Sequence, residues 1–163
     1  MSLSRLSTLP NIATGLLIGF SVAFSSLLVA ADAQEIKAAM EKRHENFEMI
    51  GESFKTIRDQ ARSGNADVAK VTEAATTINT LAKQIDTWFP AGSGPESGNE
   101  TEAKAEIWQK PEEFSKAAQR LVDESAKYIA SLNSEGASAV PGGIRTLGGS
   151  CKNCHDAFRE EDE

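Results

Sequence analysis

Cysteine and histidine are nearly absent from this chain: 163 residues hold two of each. A structural zinc site takes four ligands, and the cluster Cys151, Cys154 and His155 supplies three at most. A surplus of positive charge is also missing. Lysine and arginine number 17 against 24 acidic residues, for a formal net charge of −7, and no basic patch of the kind nucleic acid requires is visible. An acidic surface suits a soluble protein that meets basic partners. Strand-like alternation is missing too, which removes the βαβ setting of a thioredoxin-type dithiol. No nucleophile–base constellation stands out, and the carboxylates scatter over solvated helix faces, so an enzyme is not expected.

Charge is scarce at the N-terminus, where Arg5 is the only charged side chain before Asp32. Between them Ala13 to Ala30 is almost unbroken apolar sequence, and Ala31-Asp32-Ala33 fits the small-residue pattern of a secretory cleavage site. Residues 1–33 read as a signal peptide, cut after Ala33 or after Ala31. The competing reading is an uncleaved membrane anchor, because the run is long for a signal core. Export puts the mature domain, residues 34–163, in the periplasm, an oxidising compartment. Its charge stays at −7, since the signal removes one base, Arg5, and one acid, Asp32.

What the mature chain has in abundance is helical periodicity. Ile36, Met40, Arg43, Phe47, Ile50, Phe54, Ile57 and Ala61 step alternately by four and three, an inward seam with one charged member. Ser63-Gly64-Asn65 ends that helix. Val68, Val71, Ala75, Ile78, Ala82, Ile85 and Phe89 form a second seam, stopped by Pro90. The stretch "PAGSGPESGNE" is too rich in Gly, Pro and Ser to pack and reads as a long surface connection. A short helical turn around "EAKAEIW" precedes a new helix start at Pro111. The third seam is Phe114, Ala118, Leu121, Ser125, Tyr128 and Leu132; the fourth is Val140, Ile144, Leu147, Cys151, Cys154 and Phe158. Pro141-Gly142-Gly143 weakens the first turn of that fourth helix, since a helical glycine costs about 1 kcal/mol relative to alanine. Four such segments make the expected fold all-α, an antiparallel four-helix bundle.

Residues 151, 154 and 155 share one helical face, because positions three and four apart are neighbours. Two thiols there can reach the two vinyl groups at one edge of a porphyrin while the histidine reaches the iron. Cys-x-x-Cys-His is the attachment signature of haem c. The rivals are a redox dithiol, a zinc site and a plain disulfide; the last is poorly shaped across two residues of a helix. Arg43 adds a second signal. An unpaired charge on a core seam is costly, so it either snorkels from the bundle's edge or meets a haem propionate. Phe47, one turn on, would lie over the haem plane or pack in the core.

These residues together resemble the cytochrome c prime family of exported class II c-type cytochromes. The carriers are "CKNCHDAFR" at the C-terminal end, the R-x-x-x-F of Arg43 and Phe47, "WFPAGSG" at 88–94 and "AEIW" at 105–108. The resemblance implies one covalent haem c per chain, with Cys151 and Cys154 as thioethers and His155 as the proximal iron ligand. It implies that Arg43 pairs with a propionate, that Phe47 occupies the distal face, that His44 lies near the haem edge, and that Arg159 sits beside His155. Two departures stand out: Pro141-Gly142-Gly143 at the head of the last helix, and a phenylalanine where leucine or methionine is more usual.

Coordination follows from what the distal side lacks. His44 and Met49 lie off the first-helix seam, Met40 is two turns from Phe47, and phenylalanine cannot ligate. A five-coordinate, high-spin haem is expected, open to NO and CO and poor at holding O₂. The alternative is a six-coordinate, low-spin electron carrier of the same family. Redox partner proteins are expected in either case, and the resemblance implies a homodimer through the first two helices, where exposed apolar residues are few in this chain.

Overall fold

Among the described residues five α-helices succeed one another: α1 (Ser21–Arg62), α2 (Val68–Ala82), α3 (Glu106–Gln109), α4 (Pro111–Glu135) and α5 (Val140–Phe158). They are seen in a computed structural model that describes the backbone of residues 21–161 and the side chains from Asp32 onward. The chain divides into two units, Met1–Ala33 and Gln34–Glu163. The expected signal peptide falls on the first, and its residues 1–20 lie outside the described residues. Among the described residues no helix is long and apolar enough to cross a membrane.

The four long helices form the expected bundle, and the seams read from the sequence line its core. On α1, Met40, Arg43, Ile50 and Ile57 are buried, as is Asn46, which the seam does not include. Left-handed Gly64, at φ +73°, turns the chain after α1. Asp67 then caps α2, its carboxylate accepting from the backbone N–H groups of Ala69 and Lys70 at 3.0 and 3.2 Å. The α2–α4 contact carries a buried polar knot. Asn79 donates to the Val122 carbonyl and to Ser125 Oγ, both at 2.9 Å, and Ser125 donates in turn to the Leu121 carbonyl at 2.6 Å.

Two sequence expectations need correction. The second helix does not run to Pro90: α2 ends at Ala82, and a 3₁₀ turn over Ile85–Trp88 takes its place. Ile85 and Trp88 are still buried, so the apolar phase that suggested a longer helix is met by a tighter one. The Gly/Pro/Ser stretch after it is not simply a surface connection either. Ser93 is fully buried, and a side chain on Gly94 would run into the Trp108 ring.

Helix α5 begins at Val140, with Pro141 in its first turn, where a missing N–H costs nothing. Gly143 is there for space: a Cβ on it would overlap the ring of Tyr128 on α4. Tyr128 is buried and donates its hydroxyl to the Val140 carbonyl at 3.0 Å. These contacts fix α5, the helix of the Cys-x-x-Cys-His motif, against α4.

Candidate haem site

Cys151 and Cys154 lie one turn apart on α5, half-buried and packed against the hydrophobic core. Both are free thiols. Burial pushes the Cys151 thiol up, and burial followed by the neighbouring Cys151 pushes Cys154 up to about 11. Both are therefore protonated at neutral pH. That is the opposite of a redox dithiol, whose attacking cysteine needs a depressed pKa. No cluster of three His, Cys, Asp or Glu side chains among the described residues is arranged to hold a bare metal ion.

His155 follows on the outer side of the same turn, with much of its side chain reaching solvent. Burial by the surrounding protein, and then the Arg159 charge, hold its pKa below the ordinary 6.5. A neutral imidazole keeps a lone pair for a metal. Arg159 stands just past the end of α5 in extended backbone, and its N–H donates to the His155 carbonyl at 2.9 Å. Its Nε donates to Glu102 Oε2 at 2.6 Å.

Arg43 is 6% exposed, and its described partners are all neutral. Its two terminal nitrogens donate to the Ser93 carbonyl, each at 3.2 Å, to Ser93 Oγ at 3.2 Å and to Thr101 Oγ1 at 3.0 Å. Its guanidinium carbon lies 4.5 Å from the centre of the Phe89 ring. Burial lowers its pKa, but an arginine stays charged. A buried cation among neutral acceptors fits a group that brings an anion, as a propionate would.

Phe47, half-buried one turn beyond Arg43, begins a run of edge-to-face ring contacts. It meets Trp88 at 5.2 Å and Phe89 at 6.2 Å between centroids; Phe89 meets Phe114 at 4.8 Å, and Phe114 meets Phe158 at 5.3 Å. The run joins α1, the segment after α2, α4 and α5. His44 is turned away: its side chain is 76% exposed and its Nε2 lies 3.4 Å from Glu48, so it is not brought to the Arg43–Phe47 face. Met49 is exposed as well, whereas Met40 is buried. Sequence reasoning did not single out Ser93, Thr101 or Glu102. Polar residues in a Gly-rich loop carry no periodic signal, and their partners lie 50 or more positions away.

The family model described as Cytochrome C' matches residues 38–159, nearly the whole bundle. The chain belongs to the cytochrome c' family. It is 33% identical over 128 residues to the cytochrome c' of Pararhodospirillum photometricum, covering 76% of this chain and 98% of that one. To the cytochrome c-554 of Cereibacter sphaeroides it is 30% identical over 136 residues, with 82% and 88% covered. The crystal structure of the Rubrivivax gelatinosus cytochrome c' superposes with a TM-score of 0.66 at 28% identity, over 75% of this chain and 94% of that one. The Rhodopseudomonas palustris cytochrome c' gives 0.68 at 25% identity, over 77% and 98%. Covalent haem c is the cofactor of cytochromes c', and the motif on α5 is its attachment sequence.

Proposed function

We propose that this chain is a periplasmic cytochrome c' in which haem c is ligated by His155 alone, serving electron transfer and the binding of NO and CO. Cys151 and Cys154 hold the porphyrin as thioethers, with their protonated thiols already seated against the core. His155 presents a neutral ring to the iron. Arg43 supplies the charge for a propionate from a guanidinium fixed by Ser93 and Thr101. The bound haem supplies a one-electron couple and a coordination site for a diatomic ligand. Arg159 keeps positive charge beside His155 and so limits imidazolate character and electron donation to the metal.

The observation that carries this reading is Phe47. Of the residues near the Arg43 turn of α1, it is the phenylalanine that faces the aromatic core, while His44 and Met49 face solvent. A phenyl ring there would cover the distal side of a bound haem without ligating, and it would offer no hydrogen bond to retain O₂. Export through residues 1–33 rests on the apolar run Ala13–Ala30 and the small-residue pattern Ala31-Asp32-Ala33. A homodimer through α1 and α2 belongs to the same proposal; sedimentation of the purified protein reads it directly.

The test is the ferric spectrum of protein expressed with cytochrome maturation machinery, with and without NO. A high-spin signal that changes on adding NO is expected. A low-spin spectrum with a methionine–iron band would favour the six-coordinate carrier and point to Met40. Absence of covalent haem by mass spectrometry would overturn the assignment altogether.

A further inference from the structure

Residues 101–104 touch both arginines of the site, one on each side. Thr101 Oγ1 accepts from Arg43 Nη2 at 3.0 Å, and it also accepts from the Ala103 N–H at 3.2 Å. The next residue, Glu102, accepts from Arg159 Nε at 2.6 Å. The backbone is tied down as well. Ala103 and Arg159 form an antiparallel bridge, made by Lys104 N–H donating to the Phe158 carbonyl at 3.0 Å and Glu160 N–H donating to the Glu102 carbonyl at 2.7 Å. Lys104 Nζ reaches the Asp156 carbonyl at 3.3 Å. A short extended segment thus grips the end of α5 just beyond His155 and, through Thr101, the buried guanidinium of α1.

We propose that Thr101–Lys104 is a strap that sets the two arginines against the haem site, and that Glu102 is a positioning residue within it, holding the Arg159 guanidinium at a fixed distance from His155. The inference rests on the reading of His155 as the haem ligand. The two backbone hydrogen bonds of the bridge and the Lys104 ammonium hold the strap without the carboxylate, so the Glu102 side chain is not needed to keep the segment in place. Its ion pair draws the Arg159 charge toward the loop. Removing the carboxylate takes away one negative charge beside the guanidinium, so the Arg159 charge is less offset at the imidazole. The pair is substantially exposed, with side chains 40% and 57% accessible, so the effect is modest and falls with salt.

The test uses the full holoprotein, its covalent haem verified by mass. Glu102→Gln removes the charge but keeps a hydrogen-bond acceptor, and Glu102→Asp keeps the charge. Glu102→Gln is expected to shift the redox equilibrium against a fixed mediator toward the ferrous form by roughly twofold to fivefold. Glu102→Asp restores most of the original value. On an Arg159→Gln background the same substitution moves the potential less than half as far, because the residue acts through that guanidinium. Hydrogen exchange at the Lys104 and Glu160 amides stays slow in Glu102→Gln. An unmoved potential, or an equal shift on the Arg159→Gln background, would overturn the role of Glu102 while leaving the haem reading intact. Fast exchange at those amides would make Glu102 a structural tie and overturn it equally. Absence of covalent haem would overturn both.

Discussion

Replacing Gly143 by alanine sets two physical effects against each other. Helix propensity alone favours the change: an interior glycine of a helix costs about 1 kcal/mol relative to alanine. The structure predicts the reverse, because the new methyl would overlap the Tyr128 ring carbons Cζ, Cε1 and Cε2. Tyr128 is only 5% exposed and cannot swing into solvent. Overpacking of this kind costs about 1–3 kcal/mol. Displacing the ring also weakens the hydroxyl's 3.0 Å bond to the Val140 carbonyl, for about 1 kcal/mol more. The net expectation is a loss of about 1–3 kcal/mol, or roughly 4–11 °C in the unfolding midpoint of a domain this size. The neighbouring Gly142 is the control: nothing lies within 4 Å of a Cβ built there, so Gly142→Ala should gain up to about 1 kcal/mol. Thermal melts by circular dichroism on the haem-loaded protein compare the two. If Gly143→Ala stabilises as Gly142→Ala does, or is no better tolerated on a Tyr128→Leu background, the packing argument is wrong.

Alkaline pH should expose the same tyrosine. Burial pushes the Tyr128 phenol up from 10.0 to about 12, so the folded state holds its proton more tightly than the unfolded chain. That contribution is intact below pH 10 and is lost as pH rises from 10 to 12, for a total of order 2–3 kcal/mol; urea titrations of Tyr128→Phe should lack this part of the slope. Asn79→Ala should lower stability by about 1–2 kcal/mol, since it deletes two hydrogen bonds of the knot, one to the part-buried Val122 carbonyl, which keeps Ser125 Oγ as a donor, and one to the buried Ser125 hydroxyl; an unchanged urea midpoint would refute the polar knot's importance.

How far the sequence could be read depended on how local the determinant was. The α4 seam needed only periodicity, and Phe114, Ala118, Leu121, Ser125, Tyr128 and Leu132 are all buried. The haem-attachment motif was legible because its chemistry is confined to five consecutive residues. The end of α2 was not, because Ile85 and Trp88 keep an apolar phase that a 3₁₀ turn satisfies as well as an α-helix. Gly143 looked like a weak point in a helix until Tyr128, from another helix, gave it a reason. Ser93 looked solvated because composition cannot reveal that an arginine 50 positions earlier satisfies its carbonyl. Arg159 was placed near His155 by its spacing, but its partner Glu102 lies 57 positions away.

The separation between partners also bears on the order in which the bundle assembles. Tyr128 and Val140 are 12 residues apart, whereas Arg43 and Ser93 are 50 apart. Closing the longer loop costs about 1.3 kcal/mol more in chain entropy, and local contacts form first. The α4–α5 hairpin should therefore form in the folding transition state, with high φ-values at Tyr128, before α1 clasps the loop through Arg43 at low φ. The helix that carries the two thiols would then be formed while the Arg43 side of the bundle is still open, which leaves a planar macrocycle a way in.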